Sequence, residues 1–379
     1  MKVHIILGKI AICCLFIGYC SVVCGQTMPN QKELNEGLET LIKYFKDDAE
    51  QERISGMTKI PGSYKSIEIS DNPIALNINE IVLNNPYGDD FPVSYTVIYK
   101  DRLISLFQSG LFACHSIETM QRDLSFEEKL NSKQFDYHWL IDDKLVGLSQ
   151  ERYYYLNSDD KWIEYKENIP LWNQPKLFED DKYIAFCDWG GEFGGTVYFF
   201  NKQTGIIYFT EATDARTIYK EDGRYYVLYE LGHMITRLST LKEISNPELL
   251  TPISLEDLRK FERNKENPAI GYSDKSNASR IVFSLEPITF QSSFMYKGRR
   301  LYITNSLSKT FLAEKENSTI KIVNPLFNNE LFMHSPVTTS YPNTILINRA
   351  WYMVGRNREI SFFIIKDDEL INIDWNKKH

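Results

Sequence analysis

From about residue 95 to the end of this chain, short apolar runs alternate with clusters of Asp, Asn, Gly and basic residues. The clearest set lies within 177–209. Leu177 and Phe178 precede the acidic pair Asp180-Asp181, the run 183–187 follows, and the runs 197–200 and 206–209 are joined by Asn201-Lys202-Gln203-Thr204-Gly205. Aromatic and β-branched runs with turn residues between them predict a four-stranded antiparallel meander. Similar hairpins are predicted at 95–107 around Lys100-Asp101, 139–148 around Asp142-Asp143, 177–187 around Asp180-Asp181 and 217–229 around Asp222-Gly223. Two more are predicted at 294–304 around Gly298 and 344–354 around Asn348. Taking Arg102, Lys144, Lys182, Arg224, Arg300 and Ala350 as equivalent gives steps of 42, 38, 42, 76 and 50 residues. A second hairpin repeats as well: 153–156, a five-residue turn and 162–165 match the frame of 197–200 and 206–209, and 362–365 with 370–373 keep it with a four-residue turn.

Four strands recurring about every 40 residues, with little helix between them, is the pattern of a β-propeller. The expected fold class is therefore all-β, a propeller of six four-stranded blades, with five or seven as alternatives. Three stretches depart from the repeat. At helical spacing, Leu34, Leu38, Leu41, Ile42 and Phe45 predict an amphipathic helix over 30–54, ended by Gly56, Pro61 and Gly62. Strand-like runs follow at 66–69 and 74–82. The long step contains Ser254, a cap residue with Asp257 at the third position after it and an apolar face of Leu255, Leu258 and Phe261. It predicts a partly helical insertion over 246–277, followed by strands at 281–285 and 287–291. Over 64–379 the sequence resembles secreted bacterial β-propeller proteins. The Trp-Asp, kelch double-glycine and Asp-box signatures are not repeated through the blades, so no narrower family is identified. The resemblance implies that ligands bind where the B-to-C and D-to-A loops share one face, which locates a site without naming an activity.

Composition and the chain's beginning add a compartment. Lys2 and Lys9 flank the start of a short apolar stretch, 10–23, that reads as a secretory signal cleaved after Gly25. The expected organisation is a signal at 1–25, a helical segment at 26–63 and the propeller at 64–379. Cys20 and Cys24 leave a lipid-anchored form as the alternative to a soluble one in the periplasm or outside the cell. The apolar stretch falls short of the roughly 20 residues of a membrane-spanning helix, so no transmembrane span is expected in the mature chain. A formal charge of −8 becomes −8 − 2 = −10 without Lys2 and Lys9, which disfavours nucleic acid as a partner. Of six cysteines, those at 13, 14, 20 and 24 lie in the signal. Cys114 and Cys187 remain, in blades that a propeller does not place in contact, and are expected to be unbonded. The mature protein is expected to be a monomer.

Candidate chemistry concentrates in one loop. From the residue opening strand B to the first residue of the C-to-D turn, the third copy is longer than the second by (201 − 182) − (157 − 144) = 6 positions. The extra residues fall where Asp188, Trp189, Glu192 and Phe193 lie among four glycines. In the next copy the same loop holds Glu230, Gly232 and His233. Asp188, Glu192, Glu230 and His233 are the candidates for acid and base work. Trp189, Phe193, His233, Arg356 and Arg358 are the candidates for ligand binding, with Gln108, Glu151, Arg152, Asn305, Asp214 and Arg216 on or near the same rim. No HxxxH or HExxH spacing is present, so no metal site is expected, nor any cofactor. Three functions follow: a ligand-binding propeller that takes a glycan or a partner protein, a glycan-acting hydrolase or lyase, or a structural component of an envelope complex.

Overall fold

Six sheets stand as blades in a ring in the computed structural model. The structure describes Glu36, Glu39, Thr40, Lys43 and residues 66–375, except 89, 190–193, 234–235, 265–277, 286–287, 307–308, 318, 332 and 352–358. Of the helix expected over 30–54, the four described positions are helical and exposed, and the rest lies outside the described residues, as does the 1–25 segment.

Blade 1 has strands Val97–Tyr99, Arg102–Leu106 and Phe112–Ser116, and blade 2 has Tyr137–Ile141, Lys144–Ser149, Arg152–Leu156 and Trp162–Glu164. Blade 3 is Lys176–Glu179, Tyr183–Trp189, Gly195–Asn201 and Ile207–Glu211; blade 4 is Ala215–Glu221, Arg224–His233, Thr236–Ile244 and Ser279–Leu285. Blades 5 and 6 are Thr289–Tyr296, Arg299–Ser306, Lys309–Glu316 and Thr319–Phe327, then His334–Tyr341, Thr344–Trp351, Glu359–Lys366 and Glu369–Trp375. Strands are lettered A to D in that order. The A–B hairpins turn where the polar pairs said they would. Lys100-Asp101, Asp142-Asp143, Asp222-Gly223 and Lys297-Gly298 all have positive φ at both positions, the geometry that matches the twist of two-residue hairpins.

Each blade presents apolar side chains to both neighbours, and six hydrophobic clusters occupy the six interfaces. The one between blades 6 and 1 closes the ring: Leu346, Phe362, Ile364 and Trp375 pack on Leu103, Phe107 and Ala113. Polar bonds fix the same seam. Asn348 accepts from Thr96 N at 2.8 Å and donates to Thr96 O at 2.9 Å, and Tyr341 Oη accepts from Ile98 N. Strands β1 (Ser66–Ile69) and β2 (Asn77–Leu83) lie parallel to the outer strands of blades 5 and 6 and cover their edges.

In the last copy the repeat frame needs correction. Its A–B turn is Pro342-Asn343, and Asn348 lies inside strand B, where blade 1 takes its amide. Thr344, not Ala350, opens strand B, so the step from Arg299 is 344 − 299 = 45. The run expected at 287–291 and the start of the 294–304 hairpin form one strand, Thr289–Tyr296. The insertion expected over 246–277 is present between strands C and D of blade 4. It returns Thr251–Ile253 to blade 3 as a fifth strand and continues as a helix, Leu255–Asn264. Ser254 Oγ accepts from Asp257 N at 3.0 Å, as its cap pattern requires, and Leu258 is buried between blades 2 and 3.

Among the described residues blade 1 has three strands, and helix α1 (Leu124–Leu130) stands where a fourth would lie. Asn131, just after it, accepts from Phe112 N at 2.7 Å and donates to Phe112 O at 3.0 Å, which satisfies the strand edge by a side chain. Tyr87 Oη also donates to Phe112 O. Asn131→Ala should lower stability by about 1–3 kcal/mol, the cost of a buried N–H without an acceptor. Asn131→Asp, which keeps the acceptor, should lose less. Urea unfolding of the two variants checks this, and equal losses would show that the edge bond is not the cause.

Along the axis the ring is packed shut. Inner strands of blades 3 and 6, on opposite sides, pack against each other. Tyr95, Leu177, Ala215, Ile218, Val337 and Ala350 belong to one apolar cluster there. Two separate ends result, one carrying the B–C and D–A loops and the other the A–B and C–D turns.

Candidate functional site

At the loop end, strand B of blade 3 runs to Trp189, which pairs with Gly195. A Cβ on Gly195 would come within 2.8 Å of Ala212 O and 3.0 Å of Asp188 O, so only glycine lets the hairpin pass this close to the D–A connection. Asp188 shares its sheet face with Ile184 and Phe186, which pack against blade 2. Its carboxylate is hydrogen-bonded by Tyr198 and Gln174, and burial pushes its pKa up against those two bonds. Gln174 is held in turn, with Oε1 accepting from Trp172 N at 2.7 Å and its carbonyl from Trp139 Nε1 at 2.9 Å. Beneath lies Cys187, whose thiol pKa burial raises well above its ordinary value. Cys114 and Cys187 are both buried and unbonded.

Glu230, on strand B of blade 4, shares its face with Leu228 and looks toward blade 5. There Arg216, 4% exposed, gathers four groups. Its guanidinium lies 2.8 Å from Asp214 and 3.0 Å from Glu230, and it donates to Gln291 Oε1 at 2.6 Å and Met333 O at 3.0 Å. One side chain thus ties blade 4 to blade 5 and to the connection entering blade 6. Of the candidates read from the sequence, the structure brings together Asp214, Arg216 and Glu230. Asp188 stands apart from them, bonded on the blade 2 side. Asn305 is buried and donates to Leu331 O at 2.7 Å, while Gln108, Glu151 and Arg152 are exposed. Glu192, Phe193, Arg356 and Arg358 lie outside the described residues, as do the side chains of Trp189 and His233.

Between strands B and C the chain spans 107–111 in blade 1, 190–194 in blade 3 and 352–358 in blade 6. The last is the longest of these three and the first equals the second in length, so enlargement is not peculiar to blade 3. Among the described residues no group of three or more His, Cys, Asp or Glu could hold a metal ion, and no helix is long and apolar enough to cross a membrane.

The opposite end holds what sequence reasoning missed. A cavity of about 560 Å³ opens among the A–B turns, lined by five of the six blades. Lys176, Glu179, Lys202 and Asp142 form a chain of ion pairs along one wall, with Lys202 Nζ 2.7 Å from Glu179 and 2.6 Å from Asp142. Burial lowers the pKa of Lys176. Asp180 accepts from Lys220 and from Tyr225 Oη, both at 2.7 Å. The only signal in the sequence was the density of charge at the A–B turns, which read as ordinary turn chemistry.

No protein-family model matches the chain, and no curated protein sequence does either. Among solved structures it is similar to virginiamycin B lyase from Staphylococcus aureus, at 10% identity and a TM-score of 0.35, over 70% of this chain and 94% of that one. It is also similar to the β-propeller domain of the Trilobed protease from Pyrococcus furiosus, at 9% identity and a TM-score of 0.32, over 76% and 100%. BamB from Moraxella catarrhalis matches at 8% identity and a TM-score of 0.30, over 68% and 82%. Likeness this distant says nothing about ligand or activity.

Proposed function

We propose that this is an exported, non-catalytic propeller that binds a glycan or a partner protein on its loop end. The observation that carries the reading is the state of the two described carboxylates. Asp188 is engaged by Tyr198 and Gln174 on the blade 2 side, and Glu230 by Arg216 on the blade 5 side. Groups bonded internally and aimed at different blades suit a rigid floor better than a proton-transferring pair, which must converge on one bond. The axis is packed shut beneath them, so the loop end is a surface ringed by loops rather than a through-channel. Trp189, Phe193, His233, Arg356 and Arg358 are the proposed contacts, in or next to the B–C connections of blades 3, 4 and 6.

A glycan and peptide array probed with the mature protein tests the reading. For a ligand so found, Trp189→Ala should weaken binding by about 1–3 kcal/mol, the usual worth of a buried aromatic side chain. Unchanged affinity in a variant that unfolds at the same urea concentration would remove Trp189 from the site. Turnover of an array glycan that is lost in Glu192→Gln or His233→Ala would replace binding with the hydrolase or lyase reading.

A further inference from the structure

The outer edges of the blades are not finished alike. Those of blades 3, 5 and 6 each carry an added strand, Thr251–Ile253, β1 and β2, and that of blade 1 is met by the Asn131 side chain. Blade 4 ends on Ser279–Leu285, where Val282 is bulged out between the pairs Leu241–Phe283 and Lys242–Ile281, which breaks the row of outward groups. Blade 2 ends on Trp162–Glu164, and among the described residues no strand pairs with its outer side. Tyr165 N donates inward to Tyr153 O at 2.8 Å, and Lys161 O accepts inward from Asn157 N at 3.0 Å. Inward and outward residues alternate along an antiparallel strand. The N–H and C=O groups of Trp162 and Glu164 therefore face outward, at the spacing that one added strand uses.

Charge selects what that edge accepts. On its blade 1 side lies an open cavity of about 540 Å³, with Tyr154 and Trp162 in its lining beside three lysines and two aspartates. Asp160 is already held by Lys100 and Lys129, both at 2.7 Å. Lys133 and Lys161 form no ion pair among the described residues, and Lys133 Nζ is carried over the Tyr154 ring at 4.2 Å. On the opposite face of the strand Ile163 is 42% exposed. An added strand sends alternate side chains to the two faces, so every second one meets the lysines and the others cover Ile163. Lysines beside an edge turn away basic strands and draw in carboxylates. Glu164, which pairs with Tyr154 and is exposed, confines the acidic positions to the Trp162 end. The net charge of the chain is −8, so this cationic spot runs against the charge of the whole. We propose that the rim of blade 2 docks an extended segment of a partner protein, with acidic and apolar residues in alternation, as a fifth strand of that blade.

Fluorescence anisotropy of the full chain with labelled heptapeptides tests the proposal. The probe alternates Glu and Val. Its controls are a Lys–Val version and two copies N-methylated on one or the other set of alternate backbone nitrogens. The Glu–Val peptide is expected to bind, and the Lys–Val version to bind at least tenfold more weakly. One of the two methylated copies, the one whose methyl groups face the blade, should lose tenfold or more. Lys133→Glu combined with Lys161→Glu should cost tenfold in affinity for the probe. Glu164→Pro removes an outward N–H together with a repelling carboxylate, so a loss of affinity there reports the backbone bond and not charge. The lysine variant keeps the proposal falsifiable if the proline variant does not fold. Absence of binding at millimolar concentration, equal binding of the Lys–Val peptide, or full affinity in both methylated copies would overturn it, as would unchanged affinity in the folded lysine or proline variants. Sedimentation of the chain alone gives the remaining outcome: a dimer that the peptide disperses would make a second copy the occupant and overturn the proposal.

Discussion

Arg216→Met is expected to lower the unfolding free energy by about 3–5 kcal/mol, the usual cost of removing one partner from a buried ion pair. That is a large share of the roughly 5–15 kcal/mol that holds a domain folded. The guanidinium is nearly inaccessible and stands between Asp214 and Glu230, and the second of these is 5% exposed. Without it, two carboxylates face each other in a poorly solvated space, and Gln291 and Met333 O lose a charged donor. Since Arg216 links blade 4 to blade 5 and to the entry of blade 6, the loss also loosens the floor of the loop end. Adding Asp214→Asn and Glu230→Gln to Arg216→Met should recover a good part of the stability, because the penalty comes from unpaired charge rather than lost volume. Equilibrium urea unfolding measures both. A loss below about 1 kcal/mol for Arg216→Met, or no recovery in the triple variant, would mean that water already reaches these groups.

The fold was legible in the sequence where local chemistry and global position agree. Asp142-Asp143 and Asp222-Gly223 tolerate positive φ, flank alternating apolar runs, and do turn hairpins. Asn348 misled for the same reason: asparagine is a turn former, and only the closed ring shows its amide serving the backbone of Thr96. The helix at the edge of blade 1 was equally hidden, because nothing local announces that Asn131 and α1 will replace a strand's hydrogen bonds. At the candidate site, sequence reasoning placed Asp188 and Glu230 on adjacent blades at the same end. It could not fix the faces. A period of two sends each side chain to one blade interface or the other, and a loop or bulge between repeats moves that choice by one residue. The register shift between Ala215 and Thr217 in strand A of blade 4 is such a place, and Arg216 sits in it.

Acid should destabilise the protein between pH 6.5 and 4, well before most of its carboxylates titrate. His138 is 1% exposed and neutral: Ser94 Oγ donates to Nδ1 at 2.5 Å, and Nε2 donates to Ile104 O at 3.2 Å. Burial lowers its pKa from 6.5 to about 4, with the Ile104 carbonyl opposing. His115, 3% exposed, is also lowered to about 4 by burial, with Glu127 raising it and Arg122 lowering it. The folded pKa lies below the unfolded one, so the unfolded chain binds the proton first. Stability is fully present above about pH 6.5 and is lost as pH falls toward the folded value. For His138 the loss is about 2 kcal/mol at pH 5 and about 3 kcal/mol at pH 4. His115 adds a loss in the same direction. Carboxylates with lowered pKa, such as Asp160 and Glu243, begin to lose their contribution only as pH falls into the ordinary carboxylate range, from about pH 5 downward. Asp188, whose pKa is raised, works the other way, since its folded form takes up a proton more readily than the unfolded one. Among the described groups, the decline from pH 7.5 to 5 therefore belongs to His138 and His115. Urea midpoints across that range should fall in the native chain, and His138→Gln, which keeps a neutral amide in place of the ring, should flatten the curve even if its stability at pH 7.5 is lower. A native curve that is level from pH 7.5 to 5 would show that neither ring is held neutral by burial.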